Sequence, residues 1–372
     1  MAATPFIENF VESEGISGPA ERVLESLNVR SEVELFSVLS AFPSLGRSGV
    51  LDLPGLSNVL MSRGGDSVRS FAVEAPGLVE QAHSFSLGAL PPPDTEWTFE
   101  RTFPIPPAGA GRFGERIPPS ADGSVDLRAC LPWPVRDQAR RGTGVSFAVT
   151  ALREALECQT ESRISDLSEQ FLYYVIKNHT RDPRPNDDGT WLEYACAALL
   201  SHGTCEERFA PYNPNEIPGS AGQGKPFQAA FNDAIRRVRH AATLVTPNSP
   251  AGNAKQVLQE LRSTGRPVAI AVPVFFDPIT QANNWGTAVG VLHGHVIDPV
   301  PTSVVRGGHA VCVTGFVPDP QEATGGYFVL RNSWGPLWGR SLPDPNYFGP
   351  EVGYGQISAT YVDRFLWQYC RL

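Results

Sequence analysis

Near the N-terminus the apolar positions fall at helical spacing. Leu35, Val38, Leu39 and Phe42 stand at i, i+3, i+4 and i+7, which is one face of a helix. Ser31 and Glu34 form a capping box ahead of them, and Pro43 closes the run. Gly18-Pro19 opens an earlier helix with Val23, Leu24 and Leu27 inward, and residues 54 to 62 predict a third. Helices this short are stable only when packed on one another, so residues 1–85 are expected to form a small all-α domain. From 86 to 124 the pattern gives way to proline pairs and triplets (Pro91-Pro92-Pro93, Pro106-Pro107, Pro118-Pro119) alternating with glycines 109, 111 and 114. Proline extends the backbone and glycine loosens it, which reads as a linker, part of it lying along the domain that follows.

Residues 125–372 divide by period. In the first half Val145, Val149, Leu152 and Leu156 repeat at helical spacing, and residues 168 to 176 and 191 to 200 predict two more helices, with 210 to 224 loop-like. In the second half the alternation is that of strands: Val268, Ile270, Val272; His309, Val311, Val313; Tyr327, Val329, Arg331. Helices first and sheet second is an α+β arrangement. A groove between the halves is where a site is expected.

Composition changes this picture little. The 41% hydrophobic content of the 372 residues suits a domain with a real core. A net charge of -9 without a basic cluster excludes a nucleic-acid surface and predicts no nucleic-acid partner. Neither a secretory signal nor an apolar run of about eighteen residues is visible, so no membrane span is expected. Six cysteines at 130, 158, 196, 205, 312 and 370 show no CxxC pair, and read as reduced, mostly buried thiols of a cytoplasmic protein. The scarcity of lysine and methionine beside many arginines and prolines reads as a GC-rich bacterial coding sequence. His293 and His295 form a His-x-His pair, but no carboxylate or cysteine accompanies them at ligand spacing. They are expected at a solvent edge or loop, with no metal and no other cofactor.

Three stretches carry chemistry. Gln138-Ala-Arg-Arg-Gly-Thr-Gly144-Val-Ser-Phe147 opens the first helix of the second region, Gly307-Gly308-His309-Ala310 starts a strand, and Arg331-Asn332-Ser333-Trp334-Gly335 ends another. Leu167-Ser-Glu-Gln170 and Asp188-Gly189-Thr190 lie between them. In this order they resemble the papain-like cysteine peptidases, over about residues 125 to 372. The resemblance implies a two-lobed domain, a helical lobe beside an antiparallel, barrel-like sheet lobe.

It also implies roles. Gln138 and the N–H of residue 144 would form an oxyanion hole. His309 would be the base, Asn332 the amide that fixes its tautomer, and Trp334 the indole that shields that bond. Gly189 would border and pair with substrate backbone in an extended mode. Arg141 stands where secreted members carry a half-cystine. Residue 144 is the nucleophile's place, at a helix N-terminus that favours a thiolate. It is glycine.

No neighbour replaces it. Ser146 lies about 200° around the helix, and Thr143 precedes the first turn. The resemblance therefore implies a cysteine endopeptidase that is inactive as written. The alternatives are a natural pseudopeptidase that binds a peptide or protein partner in the groove, and a scaffold whose N-terminal helices recruit a protein partner. The genomic codon at 144 separates a removed thiol from a native glycine.

Overall fold

The computed structural model describes residues 86–91, 123–237, 241–277, 282–287, 290–291, 294–299, 303–320, 322–339 and 352–372. The helices expected within residues 1–85 lie outside the described residues, as do His293 and residues 92 to 122 of the linker.

The helix expected from Val145, Val149, Leu152 and Leu156 is α1, Gly144–Glu161. Every residue from Gly144 to Glu157 is buried, so α1 runs through the middle of the domain and not along its surface. Two antiparallel-sheet strands pack on one side of it and two helices, α2 (Glu169–His179) and α3 (Leu192–His202), on the other. Ser168 caps α2 by accepting from the Phe171 N–H, which is what a serine ahead of an apolar run is placed to do. Two further helices, α4 (Gln228–Arg236) and α5 (Asn253–Thr264), follow, and α6 (Ala359–Phe365) lies near the C-terminus.

The strands are β1 (Val125–Asp126), β2 (Thr243–Val245), β3 (Val268–Asp277), β4 (Ala282–Asn283), β5 (His295–Val296), β6 (Val304–Pro318), β7 (Gly326–Arg331), β8 (Tyr354–Ser358) and β9 (Gln368–Arg371). They form one sheet in the order β2-β9-β3-β6-β7-β8-β5, with β1 on β6 and β4 on β3. All pairs are antiparallel except β5 with β8.

Alternation along β3 and β6 places the sheet between two cores. Ala269, Ala271, Ala310 and Cys312 join the helical-lobe core built on α1, α2 and α3. Val268, Ile270, Val272, Val311 and Val313 join a second core with α5 and α6. Small side chains on one face let the buried helix approach the sheet, while branched ones fill the other face. Residues near the middle of β6 are thereby carried to the N-terminus of α1.

Two expectations need correction. Cys130 and Cys158 are joined by a disulfide, with Cα atoms 5.5 Å apart, while Cys196, Cys205, Cys312 and Cys370 are free. The reading of six reduced thiols fails because the bond joins cysteines 28 positions apart that only the fold brings together. His295 is not at a solvent edge: it is buried in β5, with its Nδ1 in a 2.8 Å hydrogen bond to Gln356 Nε2. Among the described residues no helix is long and apolar enough to cross a membrane.

Candidate active site

Gly144 is the first residue of α1, and helix geometry leaves its N–H without an intrahelical partner. Opposite it, near the middle of β6, stands His309, which is fully buried. Its Nε2 lies 2.7 Å from Asn332 Oδ1. Its Nδ1 is buried and has no hydrogen-bond partner. That nitrogen faces Gly144: a Cβ built there would stand 2.9 Å from Nδ1, 3.0 Å from Cε1 and 3.2 Å from Gln138 Oε1. The imidazole stands in part of the space that a side chain at 144 would need.

Aromatic rings enclose the base. The Trp334 indole stacks on the imidazole at 4.7 Å and 22°, and Trp285 meets it edge-on at 5.3 Å. Burial holds the His309 pKa down at about 4, against a smaller upward pull from its hydrogen bond to Asn332. The ring is therefore neutral at pH 7. Asn332 directly follows β7, and its Oδ1 also accepts from the Ser333 N–H at 2.8 Å, which fixes the amide's orientation.

Gln138 is held from behind. Ser333 Oγ donates to its Oε1 at 2.6 Å, its backbone N–H donates to the Ser333 carbonyl at 2.8 Å, and Tyr212 Oη donates to its carbonyl at 2.9 Å. Its Nε2 donates to the Arg141 carbonyl at 2.8 Å and still reaches forward into the groove. Arg141 is itself buried, donating to Gln170 Oε1 and to the carbonyls of Asn213 and Ala221, with Tyr212 and Tyr173 rings beside its guanidinium. A cation with three acceptors ties the loop before α1 to residues 213–221. The two rejected hydroxyls point elsewhere, Ser146 Oγ to the Glu169 carbonyl and Thr143 Oγ1 to Tyr212 Oη.

The groove is filled by the chain itself. Gln138 Nε2 donates to the carbonyls of Ser86 and Leu87, both at 3.0 Å, and Trp334 Nε1 donates to that of Ser86 at 3.0 Å. The N–H groups of Gly88 and Ala89 donate to the Gly308 carbonyl at 3.0 Å. Thr190 N–H donates to the Gly88 carbonyl at 3.0 Å, and Leu90 N–H returns to the Thr190 carbonyl at 2.9 Å. Trp191 Nε1 closes the end on the Pro91 carbonyl. Ala89 thus bridges antiparallel to Gly308 on one wall and parallel to Thr190 on the other.

The resident segment borders Gly189, and its backbone pairing runs through the next residue, Thr190. Gly189 gives its N–H to the Gly142 carbonyl and Tyr173 Oη, and its carbonyl accepts from the buried Lys177 Nζ at 2.6 Å. With φ of 84° it turns the loop so that Thr190, its neighbour, presents backbone to the groove.

A family model described as papain family cysteine protease matches residues 121–342. The chain belongs to the papain family of cysteine proteases. Within that family it is 25% identical over 226 residues to "Cathepsin B-like CP3" of Giardia intestinalis, covering 60% of this chain and 67% of that one. Its fold is similar to that of xylellain, a cysteine protease from Xylella fastidiosa, at TM-score 0.53 and 20% identity, over 77% of this chain and 96% of the other.

In this papain-family chain the motif residues Gln138, Gly144, His309, Asn332 and Trp334 come together. Sequence reasoning missed Thr190, Trp285 and Ser333, which act through backbone, ring edge and a hydroxyl. Ser333 lay within the Asn-Ser-Trp-Gly motif and so carried a signal; Trp285 carried none.

Proposed function

We propose that this site is built for peptide-bond hydrolysis by a Cys-His-Asn mechanism, with residue 144 as the nucleophile's position, and that the chain with glycine there does not cut peptides. The observation that supports this most directly is His309, whose one ring nitrogen is fixed by Asn332 while the other, buried and unpartnered, faces residue 144. A cysteine thiol at 144 would give its proton to Nδ1. The thiolate would then attack a carbonyl carbon whose oxygen is received by Gln138 Nε2 and the residue 144 N–H. The imidazolium would return that proton to the departing amine, and water would hydrolyse the thioester by the reverse proton path. With glycine there is no group to form the covalent bond, and loss of a nucleophile costs on the order of 10⁶ in rate in a serine peptidase.

The test is Gly144→Cys. The substituted protein is expected to be labelled by an iodoacetamide probe at 144 and to cleave unfolded protein, while the glycine form does neither. A folded Gly144→Cys protein that resists labelling and shows no cleavage even when Ser86–Pro91 has been displaced from the cleft by substitution sinks this reading.

A second reading, a groove that holds a peptide without cutting it, is favoured by a different observation: the imidazole occupies part of the nucleophile's space, and Ser86–Pro91 fills the cleft. The Cys130–Cys158 bond further supports a compartment where thiols are not kept reduced, rather than the cytoplasm.

A further inference from the structure

The segment in the groove is a seated peptide whose side chains report what each position accepts. Leu87 packs on the sheet-lobe core, and its Cδ1 lies so near Gly307 that a Cβ there would stand 2.8 Å away. Gly88 crosses directly over the start of α1. A Cβ on it would stand 2.6 Å from Gly144 N and 2.8 Å from the carbonyl carbon and oxygen of Gly142, all backbone atoms that cannot retreat. Ala89 is only 2% exposed and joins the helical-lobe core, so nothing larger fits without repacking. Leu90 lies over Gly189, where a Cβ would meet its Cδ2 at 3.2 Å.

Backbone hydrogen bonds to both walls supply attachment that is blind to sequence, while the four side-chain positions discriminate. We infer that this groove takes from solution a peptide of the pattern Leu-Gly-Ala-Leu, with glycine obligatory over residue 144, and that Ser86–Pro91 is the resident copy that such a peptide must displace. This rests on the reading of the cleft as a peptide-binding groove and deepens it to a ligand class. A tethered ligand acts at an effective concentration on the order of millimolar, so the unsubstituted chain should take up a free peptide poorly.

The experiment uses the full chain and fluorescein-labelled Ser-Leu-Gly-Ala-Leu-Pro, followed by fluorescence polarisation. Gly88→Trp should expel the segment, seen as faster hydrogen exchange at the Thr190 and Leu90 amides. The expelled protein should bind the peptide at least tenfold more tightly than the unsubstituted chain. A peptide with phenylalanine in place of its glycine should bind the expelled protein at least tenfold more weakly than the parent peptide. Should Gly88→Trp fail to fold, Leu87→Asp with Leu90→Asp expels the segment by desolvation and serves in its place.

The proposal is overturned if the expelled protein binds neither peptide, if it binds both alike, or if tryptophan at 88 leaves exchange unchanged. None of these readouts needs a thiol. An active Gly144→Cys protein with no peptide binding removes the ligand pattern alone, and binding with an inert Gly144→Cys protein removes the peptidase reading alone.

Discussion

At the scale of single residues, the orphaned nitrogen of His309 couples the site to pH. The folded-state pKa of about 4 lies below the ordinary 6.5, so between these values the unfolded chain binds the proton more readily. Stability from this residue is fully present above pH 6.5 and drains away as pH falls towards 4. The gap corresponds to at most about 3 kcal/mol. Urea unfolding at pH 7 and pH 4.5 should show a smaller acid loss for His309→Gln than for the unsubstituted protein; an equal loss would mean the imidazole is not the group that titrates. Arg141 offers a second residue-scale test. Arg141→Met removes the guanidinium donor from the Gln170 amide oxygen and from two backbone carbonyls, and should cost about 2–4 kcal/mol by denaturant unfolding.

What the sequence made legible at this scale was the set of residues whose identity is dictated by chemistry: an amide at 138, an imidazole at 309, an amide at 332. Thr190 was illegible because it contributes only peptide N–H and C=O, which every residue but proline supplies. Gly189, its neighbour, stands out in the sequence because a glycine is visible there and a backbone pairing is not.

Among elements, α1 is fixed at both ends. Its start is packed between the Gln138 loop and His309, and its last third is tied through Cys158 to Cys130 in the short turn Arg128–Cys130. The bond spans 28 positions, a loop for which chain entropy gives about 3–4 kcal/mol. Reduction, or Cys130→Ser with Cys158→Ser, is therefore expected to lower unfolding free energy by roughly that amount. Intact-mass comparison before and after alkylation would check the bond itself. A protein that alkylates at both cysteines without reductant, or unfolds at the same denaturant concentration when reduced, contradicts the tether.

Helices α1, α2 and α3 followed from their apolar spacing. Helix α5 is not among the expected elements, although its Val257, Leu258 and Leu261 share a face and its end is set by Gly265 in a left-handed conformation. Helix α6, capped by Ser358, is likewise not among them. Helix α4 is different: its buried positions are Ala230 and Ala234, too small to write a clear stripe.

For the molecule as a whole, residues 134–138 link the lobes. Asp137 bridges to Trp334 on the sheet side, while the Arg136 guanidinium reaches into the helical lobe to Glu154, Asp166 and Glu169. Three carboxyl groups share that cation. Burial pushes the Glu169 carboxyl up to about 8 despite Arg136, with Glu154 and Glu207 adding to the rise. For an acid whose folded pKa is raised, stability is fully present below the unfolded value of 4.5 and is lost as pH climbs through the folded one. The stability of Glu169→Gln relative to the unsubstituted chain should therefore rise between pH 5 and pH 9, by at most about 4 kcal/mol. Thermal unfolding across that range would show it, and parallel curves would place the ionisation elsewhere.

Ser86–Pro91 spans the same boundary from the front. One edge is bonded to Gly308 of the sheet and the other to Thr190 beside the helices. It is thus a rivet through two plates as well as a stopper in a slot. Pulling it out loosens the plates, and whatever enters next must hold them together again, so a competitor too short to span both edges would inherit the vacancy without the grip.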